Sequence, residues 1–420
     1  MRFLHTLLAA TALAGLAACA DSDVSPIAPV GGANFNTTGV SYPQSGPWSR
    51  IVEGKIGSGS IYALYIPNSW NGDAVFYSHG IRDVTAPIDL GDQDHFAEIS
   101  AVLGARGFAI AYSSWPDNGF VIKEGEQAVH QMRGILAAEL KGQPKRSFLL
   151  AHSLGSGVAL DLVQTFQDQY DGAFLVCGIV GGTLLESEYA GNVRALFDTF
   201  YPGALPGDVL SVPTPLSDAQ LAAVVGQALT INPIPLFVIA SLSQTPLPFV
   251  PNGSPYDQNS VAFGSLANSL GYALGFQMRF ANNITDLAHG HSTFDNTADY
   301  SAGANPLLLP AALNPLIGYI NANVRRYRFD PAGLNFMQRY FEPTGVLRMP
   351  VLTLHNAWDP GVPAFHETAL LKKVTDAGYT QNLLQRLYPD YGHCVIPGAV
   401  QAQSFLDLVN WVTTGVKPAS

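Results

Sequence analysis

Ser153 has the sequence surroundings that point most directly to chemistry. It lies in the segment AHSLG (151–155), which follows an apolar run and precedes a stretch with helical spacing of apolar residues. A turn from strand to helix is so tight that only small residues fit around such a serine, and a helix N-terminus favours negative charge on a reacting oxygen. The pattern therefore predicts a nucleophilic serine, and the alternative is a serine that only caps the helix.

This turn resembles the nucleophile elbow of the α/β-hydrolase family, usually G-x-S-x-G, with Ala151 in place of the first glycine. Ser153 needs a base to take its proton. The resemblance implies that this base is His393, because the segment YGHC follows the last predicted strand, where the family places its catalytic histidine. His152 is adjacent to the serine and should point away from it.

The same resemblance implies the acid that holds the histidine in one tautomer. Asp359 opens the segment DPGVP, which is similar to the family's D-x-x-V-P signature after the seventh strand. It completes the chain order Ser, Asp, His. Asp390 and Glu186 are the rival carboxylates.

Two backbone N–H groups should stabilise the oxyanion formed in the reaction. The resemblance implies that one belongs to Leu154 and the other to Ile81, in the segment HGI (79–81), which is similar to the family's H-G-x element. It implies neither a metal nor an organic cofactor. The segment His289-Gly290-His291 is interpreted as a surface polar cluster, since its spacing fits no standard metal site.

The elements that must position these residues alternate between strand and helix. Nearly continuous apolar strands predict an α/β protein with a mostly parallel sheet and helices on both faces, as in the α/β-hydrolase fold. The predicted strands are 60–67, 73–79, 108–114, 147–152, 173–180, 350–355 and 383–388, and the predicted helices are 94–107, 122–140, 154–169, 363–377 and 399–413.

The alternation stops at Gly181-Gly182 and resumes near residue 349, which predicts a large cap insertion between the sixth and seventh strands. The predicted organisation is a signal peptide (1–18), a flexible tether (19–46), a hydrolase core (47–182 and 346–420) and a mostly helical cap (183–345). Apolar cap residues such as Phe276 and Phe280 suit packing on the sheet and equally suit an apolar acyl pocket.

The N-terminus predicts export and lipid anchoring. Arg2 precedes an apolar stretch that is too short to span a bilayer as a mature helix, and this stretch ends in LAAC (16–19), which resembles a bacterial lipobox. In that family the cysteine, here Cys19, becomes lipid-modified. An ordinary signal peptide that happens to contain Cys19 is the alternative. The expected location is the periplasmic or cell-surface side of a bacterial envelope.

Two further cysteines, Cys177 and Cys394, remain in an oxidising compartment that permits a disulfide. Tannase and feruloyl-esterase-like hydrolases tie a cysteine directly before the serine to one directly after the histidine. This chain matches only the second half, and either a Cys177–Cys394 bridge or two buried thiols would suit it. Trp115 and Trp358 end strands at the expected catalytic edge and are predicted to flank the mouth of the site. Either could stack on substrate, and a packing role is the alternative.

Composition narrows the function further. The net charge is −11 and no block of Lys or Arg stands out, so nucleic acid is not an expected partner. The expected activity is hydrolysis of carboxylic esters, with hydrophobic or polymeric substrates outside the cytoplasm. The alternative is a serine peptidase or amidase of the prolyl-oligopeptidase-like kind. The same triad would serve such an enzyme, although the sequence shows no propeller before the hydrolase core. A non-catalytic binding protein is the third class.

Overall fold

A computed structural model describes residues 45–57, 59–91, 96–248, 261–303 and 314–419. The predicted signal peptide, nearly all of the tether and the predicted lipidation residue Cys19 lie outside the described residues.

The described residues contain one eight-stranded sheet with the spatial order β1-β2-β4-β3-β5-β6-β7-β8. The strands are β1 (Trp48–Lys55), β2 (Ile61–Pro67), β3 (Asp73–Ser78), β4 (Ala109–Ser113), β5 (Arg146–His152), β6 (Gly172–Val176), β7 (Val351–Trp358) and β8 (Leu383–Tyr391). All neighbours from β4 to β8 pair in parallel, whereas β2 is antiparallel to both β1 and β4. The prediction of a mostly parallel sheet is confirmed.

Helices cover both faces of this sheet, and further helices form the insertion between β6 and β7. They are α1 (Phe96–Ala105), α2 (Ile122–Leu140), α3 (Leu154–Thr165), α4 (Thr183–Phe200), α5 (Asp218–Ile231), α6 (Ile234–Leu242), α7 (Val261–Leu287), α8 (Asn314–Asn323), α9 (Pro331–Arg339), α10 (Phe365–Ala377) and α11 (Gly398–Thr414). Alternate residues of a strand point to opposite faces. Accordingly, Phe148 of β5 packs in the cluster with α1 and α11, and Leu149 packs in the cluster with α2, α3 and α10.

The edge strand β1 is the one strand that the sequence patterns did not predict. Its residues, WSRIVEGK, include three charged side chains, and most of the strand is half-buried or exposed. A strand at the edge of a sheet buries little surface, so its sequence carries no apolar run for a pattern to detect.

The insertion between β6 and β7 carries helices α4 to α9 and has a hydrophobic core of its own. Residues from α4, α6 and α7, including Phe197, Leu236 and Leu274, form the centre of this core. Among the described helices, none alone has the length and composition to cross a bilayer. Helices α5 and α6 are long and apolar enough to cross a bilayer only when they are taken together, and the chain bends by 115° at the break between them.

Candidate active site

Ser153 occupies the sharp turn between β5 and α3. Its φ of +51° lies in the left-handed region, which costs a residue with a side chain conformational energy. A Cβ on Gly155 would approach Ser78 O to 2.4 Å and His79 O to 2.3 Å. Helix α3 can therefore begin this close to the end of β3 only because that position is glycine. The turn places Ser153 in the wall of a surface cleft.

The structure brings Ser153, His393 and Asp359 into one hydrogen-bonded line. His393 Nε2 lies 2.9 Å from Ser153 Oγ, and His393 Nδ1 lies 2.8 Å from Asp359 Oδ2. Asp359 is fully buried, and its Oδ1 also accepts the backbone N–H groups of Gly361 at 2.8 Å and Val362 at 2.9 Å. Since the carboxylate takes the proton on Nδ1, Nε2 is left to accept the proton of the serine hydroxyl.

The rival residues have other partners. His152 turns into the core, where its Nε2 lies 2.6 Å from Gln401 Oε1. Glu186 lies beside His366, with 3.1 Å between Oε2 and Nε2. Because His366 Nδ1 accepts the N–H of Gly181, its Nε2 carries the proton and donates to Glu186.

A second imidazole lies behind Asp359, and sequence reasoning did not assign it a role. His355 is fully buried on β7, with Nε2 2.7 Å from Val362 O and 3.7 Å from Asp359 Oδ2. Its Nδ1 lies 3.3 Å from Glu367 Oε1. Burial acts to lower the pKa of His355, but the Glu367 carboxylate, together with Asp359 and Val362 O, raises it above its ordinary value. The Asp359 carboxylate thus lies between two ionisable imidazole rings, those of His393 and His355.

A disulfide ties the His393 loop to the sheet. Cys394, next to the histidine, is bonded to Cys177, which directly follows β6. The bridge spans 217 residues of sequence and links the ends of two different strands. It restricts the backbone that carries His393, whose position decides whether Nε2 reaches the serine.

The two predicted oxyanion donors are both close to the serine. Leu154 is the first residue of α3, and Ile81 lines the cleft with Ser153. Within the described parts of the chain, neither N–H donates to a protein acceptor. The loop that carries Ile81 is held by His79, whose ring stacks on Trp115 with 4.0 Å between centroids. The arrangement leaves these two N–H groups available to a developing negative charge.

The cleft above Ser153 has a volume of about 240 Å³. The catalytic edge of the sheet supplies one wall and α7 of the cap supplies the other. Its lining residues are Gly80, Ile81, Ser153, Tyr272, Phe276, Gly361, Val362 and His393. Tyr272 was not predicted, although the aromatic spacing 272, 276, 280 within an apolar segment is the signal that would have placed it on one helix face with Phe276 and Phe280.

The prediction that two tryptophans flank this cleft requires correction. Trp115 is only 1% exposed, and its ring packs between His79 and Gly125 rather than facing substrate. Trp358 is half-buried at the end of β7, opposite Tyr391 of β8, and is not part of the cleft wall. Trp115 follows β4 by two residues and turns under the loop that it supports, whereas Trp358 is the last residue of β7.

In the predicted polar cluster His289-Gly290-His291, the second histidine contacts the residue that caps a helix of the cap. His291 Nδ1 lies 3.0 Å from Asp330 Oδ2. Asp330 caps α9 through Gly333 N at 2.8 Å. The histidine thus supports a helix cap at the protein surface.

Comparison with protein-family models and with curated proteins finds no match for the sequence. Among solved structures, feruloyl esterase B from Aspergillus oryzae is similar at 15% identity, over 88% of this chain and 82% of that chain, with a TM-score of 0.50. An esterase from Aspergillus oryzae matches at 14% identity over 88% and 80%, with a TM-score of 0.46. A putative lipase from Acinetobacter baumannii matches at 15% identity over 87% and 93%, with a TM-score of 0.42. At these identities only the fold is established: this chain has the α/β-hydrolase fold.

Proposed function

We propose that this protein is a serine hydrolase that cleaves carboxylic esters through an acyl-enzyme intermediate. One observation carries the proposal: Ser153 Oγ, His393 and a fully buried Asp359 form a continuous hydrogen-bonded line, 2.9 Å and 2.8 Å long in its two steps, that ends in a cleft. A buried carboxylate, an imidazole and a hydroxyl in this order activate the hydroxyl for attack on a carbonyl carbon.

The proposed reaction has two halves. As Ser153 Oγ bonds to the carbonyl carbon, its proton passes to His393 Nε2, while Asp359 stabilises the imidazolium and the N–H groups of Ile81 and Leu154 bind the oxyanion. His393 then gives that proton to the departing alkoxide, and the alcohol leaves an acyl-serine. Water, deprotonated by His393, attacks the acyl carbon, and the carboxylic acid is released as Ser153 regains its proton.

The proposed substrates are hydrophobic or polymeric esters met outside the cytoplasm. The aromatic side chains of Tyr272 and Phe276 on the cap side of the cleft support a substrate with apolar groups. The lipobox-like segment ending at Cys19 supports an exported, lipid-anchored location with a membrane as partner. If so, Cys19→Ser should abolish incorporation of labelled palmitate in the bacterial host, and incorporation that persists in this variant would refute the anchor.

A serine peptidase or amidase is the second candidate, because the same line of side chains serves either leaving group. Nitrophenyl esters of rising acyl length, assayed beside aminoacyl-anilides, separate the two activities. We expect turnover of the esters and little or none of the anilides. Turnover of the anilides alone would replace the ester proposal.

A fluorophosphonate probe tests the nucleophile itself. The wild-type protein should be labelled, and Ser153→Ala should lose labelling and at least three orders of magnitude in turnover, roughly the effect of removing such a nucleophile. Ser211→Ala, at an exposed serine of the cap, is the control and should behave as wild type. Labelling that survives in Ser153→Ala would disprove the assignment.

A further inference from the structure

An aromatic stripe on α7 leads from the catalytic histidine into the cap. Tyr272, Phe276 and Phe280 are spaced four residues apart and so lie on one helix face. The Tyr272 ring lies 5.9 Å from the His393 ring, and the Phe276 and Phe280 rings lie 5.0 Å apart. Exposure falls along the stripe, since Tyr272 is 38% exposed, Phe276 is half-buried and Phe280 is 5% exposed. The stripe therefore connects the open cleft with the interior of the cap.

The stripe ends in an inner chamber between α4 and α7. The walls of the chamber are mostly aromatic and aliphatic, with Phe120, Phe280, Ile284 and Phe294 among them. Phe276 lines both the cleft and this chamber, and it is the one residue that the two linings share. The free volume is about 30 Å³, so the chamber must widen to admit an acyl chain.

One polar atom in the chamber wall, Glu186 Oε1, is buried without a hydrogen-bond partner among the described residues. Glu186 is 1% exposed, its Oε2 accepts the hydrogen bond from His366, and no protein atom in the described residues bonds its Oε1. Burial raises the pKa of Glu186 to about 8. Burial thus favours the protonated carboxyl, and a buried O–H without an acceptor is costly. A ligand atom that accepts this hydrogen bond would remove that cost.

The chemistry at Ser153 decides which part of an ester would enter the chamber. His393 must protonate the departing alkoxide, so the alcohol part lies on the histidine side of the serine. Tyr272 lies against His393, and the stripe continues from there along α7 to Phe276 and Phe280, away from the histidine. Phe276 lines the cleft together with Ile81, one of the two oxyanion donors. The acyl part therefore faces the chamber.

We infer that the space between α4 and α7 is an acyl subsite, opened by rotation of Phe276, in which Glu186 selects acyl groups that carry a neutral hydrogen-bond acceptor such as an ether oxygen. This inference rests on the proposed ester hydrolysis. It identifies Glu186 as a specificity-determining residue and the substrate class as esters of apolar acids with one internal oxygen.

Two esters of equal shape test the role of Glu186. Nitrophenyl heptanoate and nitrophenyl 5-methoxypentanoate differ by the exchange of one methylene for an ether oxygen. We expect the ratio of kcat/KM, ether over alkyl, to fall by about fivefold in Glu186→Leu, the effect of one neutral hydrogen bond. Glu186→Gln keeps a donor and should retain most of the ratio. Glu188→Leu, on the same helix but outside the chamber wall, is the matched control and should leave the ratio unchanged.

The ratio of two substrates on one preparation is insensitive to partial loss of folded protein. If it is the same in wild type and Glu186→Leu, the role of Glu186 is refuted. A second measurement tests the chamber itself: Phe276→Ala should raise the heptanoate-to-acetate ratio and Phe276→Trp should lower it, with Phe336→Ala on α9 as the control. Unchanged acyl-length profiles would refute the subsite while leaving ester hydrolysis intact. If wild type cleaves none of these esters, the proposed function fails, and the inference fails with it.

Discussion

Three carboxyl–imidazole pairs lie close together in and behind the wall of the cleft, and each has a different proton arrangement. In the first, Asp359 holds His393 toward Ser153. In the second, burial lowers the pKa of His366 to about 3, so a neutral ring donates to Glu186. In the third, His355 is favoured in its charged form by Glu367. Identical chemical groups thus have separate roles because their surroundings differ.

The charge on His355 leads to a pH prediction. The raised pKa of His355 favours the charged form of its ring, which lies 3.7 Å from the Asp359 carboxylate. That charge partly neutralises Asp359 and so weakens its attraction for a protonated His393. In His355→Gln, His393 should take up a proton more readily, and the acid limb of the kcat/KM profile should move to higher pH.

The pH profile separates this electrostatic effect from simple damage to the fold. Lost packing lowers the height of the profile, whereas lost charge moves its acid limb. His130→Gln is a suitable control, because that ring stacks on Phe166 at 3.9 Å and lies outside the buried network around Asp359. An acid limb that stays in place, or moves to lower pH, would contradict the role assigned to His355.

At the scale of elements, the site depends on how closely α3 approaches the end of β3. The Leu154 N–H lies at the start of α3, and Ile81 follows β3 by three residues. The contact between the two elements is backbone against Gly155, with no side chain that could move aside. The spacing of the two oxyanion donors is therefore set by one glycine.

Gly155→Ala should separate these two elements. The new Cβ would meet two carbonyl oxygens at 2.3 and 2.4 Å, so α3 or the loop after β3 must shift. We expect activity to fall by about 100-fold or more, comparable to the loss of one oxyanion donor. The assay is kcat/KM on the preferred nitrophenyl ester, beside urea unfolding.

Gly134→Ala is the matched control for this substitution. Gly134 lies in the interior of α2, and a Cβ there would meet nothing within 4 Å. Because alanine favours helix over glycine, this variant should be more stable by about 0.5–1 kcal/mol and should keep its activity. Equal activity in Gly155→Ala and Gly134→Ala would rule out the close approach as a requirement.

At the scale of the whole molecule, the sequence best predicts those elements whose structure is determined by residues close together in the chain. Buried parallel strands are apolar along their length, so most of the sheet and the segment around Ser153 could be found by pattern. The half-exposed strand β1 could not, because edge strands bury little. Trp115 lies two residues beyond β4, near the predicted strand end, but the direction of its side chain depends on His79, a contact 36 residues away in sequence.

The parts of the site that come from the cap depend on tertiary packing alone. No local pattern indicates that Tyr272 lies over His393 or that Glu186 faces an aromatic chamber. The sequence does not decide between the Cys177–Cys394 bridge and two free thiols for the same reason, since pairing depends on which strands become neighbours. These features became visible only once the fold had brought distant segments together.

The Cys177–Cys394 disulfide closes a loop that contains the entire cap, so its removal should affect the whole molecule. A loop of 217 residues loses enough unfolded-state entropy on cross-linking to contribute about 5 kcal/mol to stability in the chain-entropy account. The paired substitution Cys177→Ser with Cys394→Ser should therefore lower the urea midpoint markedly. It should also lower kcat while leaving KM for the ester nearly unchanged, because the bridge restrains the backbone beside His393 and not the cleft wall on α7.

Comparison of oxidised wild type, reduced wild type and the double variant separates the effect on stability from the effect on kcat. Reduction should reproduce the variant, and full activity after reduction would show that packing alone places His393.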